Sequence, residues 1–107
     1  MITEQQVQTA LDWMIANEDG MAKAKADYHD LDRFSKTIKA ELMSQVSSNM
    51  SVSAREIEAL AHQKYITHLS ALRAAEQRYL QLEYKMDHNK LICQLWQTIS
   101  ANKRQSV

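Results

Sequence analysis

The chain has 107 residues, 13 basic and 13 acidic side chains, one glycine and no proline. Average usage would supply about seven or eight glycines and about five prolines over this length. Glycine reaches φ > 0 and proline presets φ, so without them a many-stranded sandwich, a barrel or a βαβ array is hard to build, and a glycine-rich phosphate loop, which needs several glycines, is excluded.

What remains is an all-α protein with few connections, and the length allows a single helical domain over 1–107. An apolar fraction of 45% with 24% charged residues belongs to a folded chain rather than a disordered one. No run reaches the roughly 18 apolar residues of a membrane span. The opening Met-Ile-Thr-Glu-Gln-Gln lacks the basic and apolar regions of a signal peptide. The lone Cys93 cannot close an internal disulfide. A cytoplasmic setting with no membrane partner is the expectation.

A first helix is predicted over about 3–17, opened by a capping box between Thr3 and Gln6. Val7, Ala10, Leu11, Met14 and Ile15 recur on one helical face, and Trp13 lies off it. Asn17-Glu18-Asp19-Gly20 is the strong turn signal of the first half, and Gly20 reads as a C-cap, a kink, or a residue inside a continuous helix. A second helix is predicted over about 21–46. Its residues Met21, Ala24, Tyr28, Leu31, Phe34, Ile38 and Leu42 are spaced 3, 4, 3, 3, 4 and 4, close to a heptad seam. The uncharged segment 47–52 is the clearest loop. Ser53 and Glu56 read as a second capping box opening a short helix over about 53–62, which breaks near His62-Gln63-Lys64 or continues.

The last helix is predicted over about 65–101. Leu69, Leu72, Tyr79, Leu82, Met86, Cys93 and Trp96 mark one stripe, and Leu80, Leu91, Ile92, Leu95 and Ile99 widen it. At 1.5 Å per residue this helix spans roughly 55 Å, against about 39 Å for the one over 21–46. A helix that long protrudes from a compact domain or pairs along its length. The pattern therefore predicts an elongated helical hairpin or a three-helix, coiled-coil-like bundle that forms a homo-oligomer. The expected oligomer interface is Tyr28, Leu31, Ile38, Leu42, Leu69, Leu72, Tyr79, Met86 and Trp96.

Charge is balanced overall but not along the chain. Residues 1–32 hold seven acids and two lysines, a balance of −5, and residues 33–107 therefore hold +5. Such a dipolar chain is expected to self-associate or to offer its basic part to an anionic partner.

Catalytic and metal chemistry finds little support in the sequence, and no cofactor, metal or enzymatic activity is expected. None of His29, His62, His68 and His88 stands four residues from another, the spacing that sets two ligands over one metal. The acids around His29 sit on a helix, which cannot wrap oxygen ligands around a cation. Cys93 lies in an apolar run, where cysteines pack rather than react. Cations along the helices can contact phosphates, and tyrosine or tryptophan can stack on single-stranded bases.

The order of residues also resembles a group of small bacteriophage proteins. The resemblance rests on Tyr28, Arg33-Phe-Ser-Lys-Thr-Ile-Lys-Ala-Glu-Leu-Met43, a polar loop and Ser53-Ala-Arg-Glu56. It continues through Ala59, Ala61, Tyr65, Leu69, Leu72, Leu82, Trp96 and Ala101-Asn-Lys-Arg104, and covers about residues 21–105. The layout is in turn similar to the UvsY-type recombination mediators of T-even phages. That resemblance implies a ring-forming helical protein that binds single-stranded DNA and helps load a recombinase. Gln97 stands where the family pattern has arginine after the tryptophan, and the mediators' basic, glycine-containing segment has no counterpart here. The DNA-contacting set left is Arg33, Lys36, Lys39, Lys103 and Arg104, with a recombinase or single-strand-binding protein as expected partner. The alternative is a protein–protein interaction module that docks on a host or phage enzyme without touching DNA.

Overall fold

The computed structural model describes residues 1–105 and is all-α, with three helices: α1 Glu4–Ser44, α2 Val52–Ala61 and α3 Gln63–Gln105. No strand occurs among the described residues, and no helix among them is long and apolar enough to cross a membrane. The helices contribute to two compact units, one made of Met1–Lys23 with the chain from Tyr79 onward, the other of Ala24–Arg78. Length alone suggests one.

In the first unit the opening half of α1 and the later half of α3 lie antiparallel. Ile2, Gln6, Thr9 and Ala10 help line a groove with Asn89 and Ile92, and Leu11, Met14, Ile15, Glu18 and Met21 line another with Met86 and Lys90. The inward rows are heptads. In α1, Val7, Ala10, Met14, Asn17 and Met21 are three and four apart in turn, and all are buried or half-buried. In α3, Tyr79, Leu82, Met86, Asn89, Cys93, Trp96 and Ser100 repeat the same pattern. Thr3 and Gln6 form the expected capping box: the Thr3 N–H donates to Gln6 Oε1 at 2.8 Å and the Gln6 N–H to Thr3 Oγ1 at 3.2 Å.

In the second unit α1 and α3 again run antiparallel. Tyr28 lies beside Glu76, Ser35 bonds His68, and Lys64 pairs with Glu41 at 3.7 Å. The rows are Ala24, Tyr28, Leu31, Ser35, Ile38 and Leu42 against Tyr65, His68, Leu72 and Ala75, none of them exposed. The short α2 packs through Ala59, which is 1% exposed, and the Lys39–Glu56 ion pair at 2.8 Å ties it to α1.

Several boundaries differ from the sequence reading. No break separates 3–17 from 21–46: α1 runs unbroken through Gly20, whose φ is not positive. An interior glycine costs about 1 kcal/mol against alanine, and the heptad rows on either side outweigh it. Asn17 does not turn the chain either, because its amide donates to the Trp13 carbonyl one turn back at 2.8 Å. The second cap is Ser51, not Ser53: its hydroxyl accepts from the Ala54 N–H at 3.1 Å. Glu56 is held by Lys39 instead of closing a box with Ser53. The chain does break at His62, which is extended at φ −70° and ψ 139°. Its Nδ1 accepts from the Lys64 N–H at 3.0 Å, so α3 begins at Gln63 rather than 65 and continues to Gln105.

Candidate functional site

The residues expected at an oligomer interface are engaged within the chain. Leu42 and Met86 are buried, and Tyr28, Leu31, Ile38, Leu69, Leu72, Tyr79 and Trp96 are half-buried. All but Leu69 stand in the heptad rows just described, and Leu69 follows His68 at the edge of one. The sequence shows that these side chains seek an apolar partner. It does not show that the partner is the other helix of the same chain.

The apolar surface left over lies beside the rows. In the first unit α1 exposes Leu11 and Ile15, the latter at 73%, and α3 exposes Leu91 at 51% and Leu95 at 45%. Leu11 and Ile15, with Met14, Met21 and Met86, line a groove of about 420 Å³ rimmed by Glu18 and Lys90. On the other flank Ile92 lines a second groove, of about 370 Å³, with Ile2, Thr9 and Ala10. Trp13, off the predicted stripe, is half-buried under Lys85, whose Nζ lies 5.0 Å from the ring centre. In the second unit α2 turns Val52, Ile57 and Leu60 to solvent.

The five cations expected at DNA divide between the two units. Arg33, Lys36 and Lys39 lie on α1 in the second unit, and Lys103 and Arg104 in the last turn of α3 in the first. Lys39 is half-buried in its ion pair with Glu56. Arg33 is highly exposed and 3.6 Å from Asp30, a surface pair worth little. Lys36 and Arg104 are exposed. Folding also removes the charge asymmetry of the sequence. The first unit holds five basic and six acidic side chains and the second eight and seven, because the acidic start of the chain packs with its basic end.

One pair has the makings of nucleophilic chemistry. Ser35 Oγ lies 2.9 Å from His68 Nε2 in the seam of the second unit, and His68 is 8% exposed. The same hydroxyl also donates to the Leu31 carbonyl at 3.3 Å. Both residues sit in mid-helix, where backbone N–H groups are consumed by bonds four residues back and none is left to hold an oxyanion. The pair is a polar step in a coiled-coil seam, of the kind that fixes register. Sequence reasoning missed it because the two residues are 33 apart and neither belongs to a recognisable motif. Among the described residues no group of three or more histidine, cysteine or acidic side chains is placed to hold a metal. Comparison with protein-family models, curated proteins and solved structures finds no match.

Proposed function

We propose that the chain is a non-enzymatic accessory protein of phage DNA recombination or replication. It works as an assembly of identical copies that offers cations to single-stranded DNA and assists a recombinase or single-strand-binding protein. The observation that carries this reading is the apolar surface outside the seams. A chain whose heptad rows are satisfied internally, yet which exposes Leu11, Ile15, Leu91 and Leu95 within one unit, has surface for a further copy. The DNA half of the reading is supported by the resemblance over about residues 21–105 and by the exposed Arg33, Lys36, Lys103 and Arg104. A single near-neutral unit binds a polyanion weakly. An assembly repeats each cation and gains by effective concentration.

The near-neutrality of each unit, and the capture of Lys39 by Glu56, favour a second reading in which the surface serves a protein partner alone, on a host or phage enzyme. Mass in solution, measured with and without a single-stranded oligonucleotide across a salt series, separates the two. The proposal expects a multiple of 12.4 kDa and DNA binding that weakens with salt, with a log–log slope of about −0.7 per phosphate neutralised. Assembly without DNA binding at low salt moves the function to the second reading. That reading predicts one host or phage protein retained stoichiometrically by the immobilised chain.

A further inference from the structure

Phe34, the chain's one phenylalanine, is 57% exposed on α1. Of the other described tyrosine and tryptophan side chains only Tyr84 is exposed. The Phe34 ring lines a cleft of about 250 Å³ with Asp30, Arg33 and Thr37. The four stand at i, i+3, i+4 and i+7, which sets them on one helical face. Arg33 Nη2 lies 3.6 Å from Asp30 Oδ1, and the two side chains are 78% and 64% exposed, so both keep polar valences toward water. Lys36, one turn after Arg33, is exposed, and from Arg33 to Ala40 the chain carries three cations and no acid. The surroundings do not suit a protein contact. The outward neighbours of Phe34 one turn away are Asp30 and Thr37, and the next are Asp27 and Glu41, all exposed. The centre of a protein interface is contiguous and depleted in charge. One flat apolar face rimmed by a carboxylate, a hydroxyl and a guanidinium matches a nucleotide instead: a π face to stack, N–H donors along the base edge, and a phosphate beside them.

We propose that Phe34 is a stacking platform for one base of a single strand, with Asp30 accepting from an N–H on the base edge and Arg33 and Lys36 meeting the flanking phosphates. The inference rests on the proposed DNA binding and names the group that holds the base. Asp30 sets the orientation. Its carboxylate repels a phosphate, so the base enters the cleft and the backbone passes on the Lys36 side. The contact is tolerant of sequence, because every base has a π face. Tyr84, the other exposed ring, lacks the cations. Glu83 and Asp87 flank it in sequence, and the neighbouring Lys85 holds its Nζ 5.0 Å from the Trp13 ring centre.

The test measures binding of the full chain to labelled oligothymidylate and to a strand of equal length made of abasic sites throughout. Wild type should bind the thymidylate about 5- to 150-fold more tightly for each base stacked, with the same salt slope on both strands. Phe34→Ala should bind the two strands alike, at unchanged helicity and unchanged mass in solution. Phe34→Trp should keep the preference. Its emission beyond that of Trp13 and Trp96 should be quenched by the thymidylate and not by the abasic strand. Tyr84→Ala should behave as wild type. Equal binding of both strands by wild type, or a Phe34→Ala variant that keeps the preference, overturns the inference and leaves the proposed DNA binding standing. A Phe34→Ala variant that loses mass in solution together with its affinity for both strands places the ring between copies, and overturns the inference in the same way. A wild type that binds neither strand overturns the inference together with the DNA binding it rests on.

Discussion

The Ser35–His68 bond is where a single atom decides most. His68 is nearly covered, and its Nε2 has Ser35 Oγ as a partner at 2.9 Å. Ser35→Ala removes that partner and leaves a buried ring nitrogen unmatched, a change that costs about 1–3 kcal/mol. Urea unfolding should therefore show a lower midpoint at unchanged slope. His68→Leu removes the polar group altogether and should restore the midpoint or raise it, at the expense of a register marker. A second residue sets a pH dependence. The Glu76 carboxylate beside Tyr28, then burial and the Asp32 charge, hold the Tyr28 phenol above its ordinary value. The folded chain thus keeps a proton that the unfolded chain has already released. The contribution is fully present below the unfolded-state phenol value and is lost as pH rises through the folded one. Spectrophotometric titration should find a tyrosine component ionising above the ordinary phenol value, and Tyr28→Phe should abolish that component. The same variant should flatten the alkaline loss of stability.

At the scale of helices, Gly20 is the informative position. It sits inside α1 without a positive φ, and a Cβ added there would meet nothing within 4 Å. Gly20→Ala should therefore stabilise the chain by about 0.5–1 kcal/mol, seen as a higher thermal midpoint with unchanged helix content. A C-cap glycine would respond in the opposite direction. This position also marks the limit of what was legible. Tyr28, Leu31, Ile38 and Leu42, and Leu72, Tyr79, Met86 and Trp96, announce the seam by spacing alone, because burial at a 3.5-residue period leaves a pattern in the letters. Turn chemistry leaves a weaker one. Asn17-Glu18-Asp19-Gly20 has turn composition, but composition does not say whether the helices on either side already hold the segment straight. Phe34 shows a related failure. It fits a spacing of three from Leu31, whereas the row runs through Ser35, and Phe34 is exposed. A hydroxyl in the seam bonded to a histidine on the other helix has no local signature.

For the molecule as a whole, the charge pattern changes meaning on folding. A balance of −5 over the first 32 residues and +5 over the rest suggests a dipole, yet antiparallel pairing sets the acidic start beside the basic end and leaves each unit within one charge of neutral. Long-range attraction of a polyanion to one copy is then weak, and the affinity proposed for single-stranded DNA has to come from repetition. This has a quantitative consequence. Binding should require assembly, so Ile15→Glu should lose DNA affinity although it removes no cation and lies far in sequence from Arg33 and Lys36. Arg33→Ala combined with Lys36→Ala should leave the assembly state unchanged. It should also make the salt slope shallower by about 0.7 for each phosphate no longer neutralised, summed over all copies that touch the strand. A double variant that lowers affinity uniformly at every salt concentration, with the slope intact, would show that these side chains act through folding rather than by meeting phosphates. Lys39→Ala is the internal contrast. Its ammonium is held 2.8 Å from Glu56, so its loss should lower stability through the attachment of α2 and change the slope little.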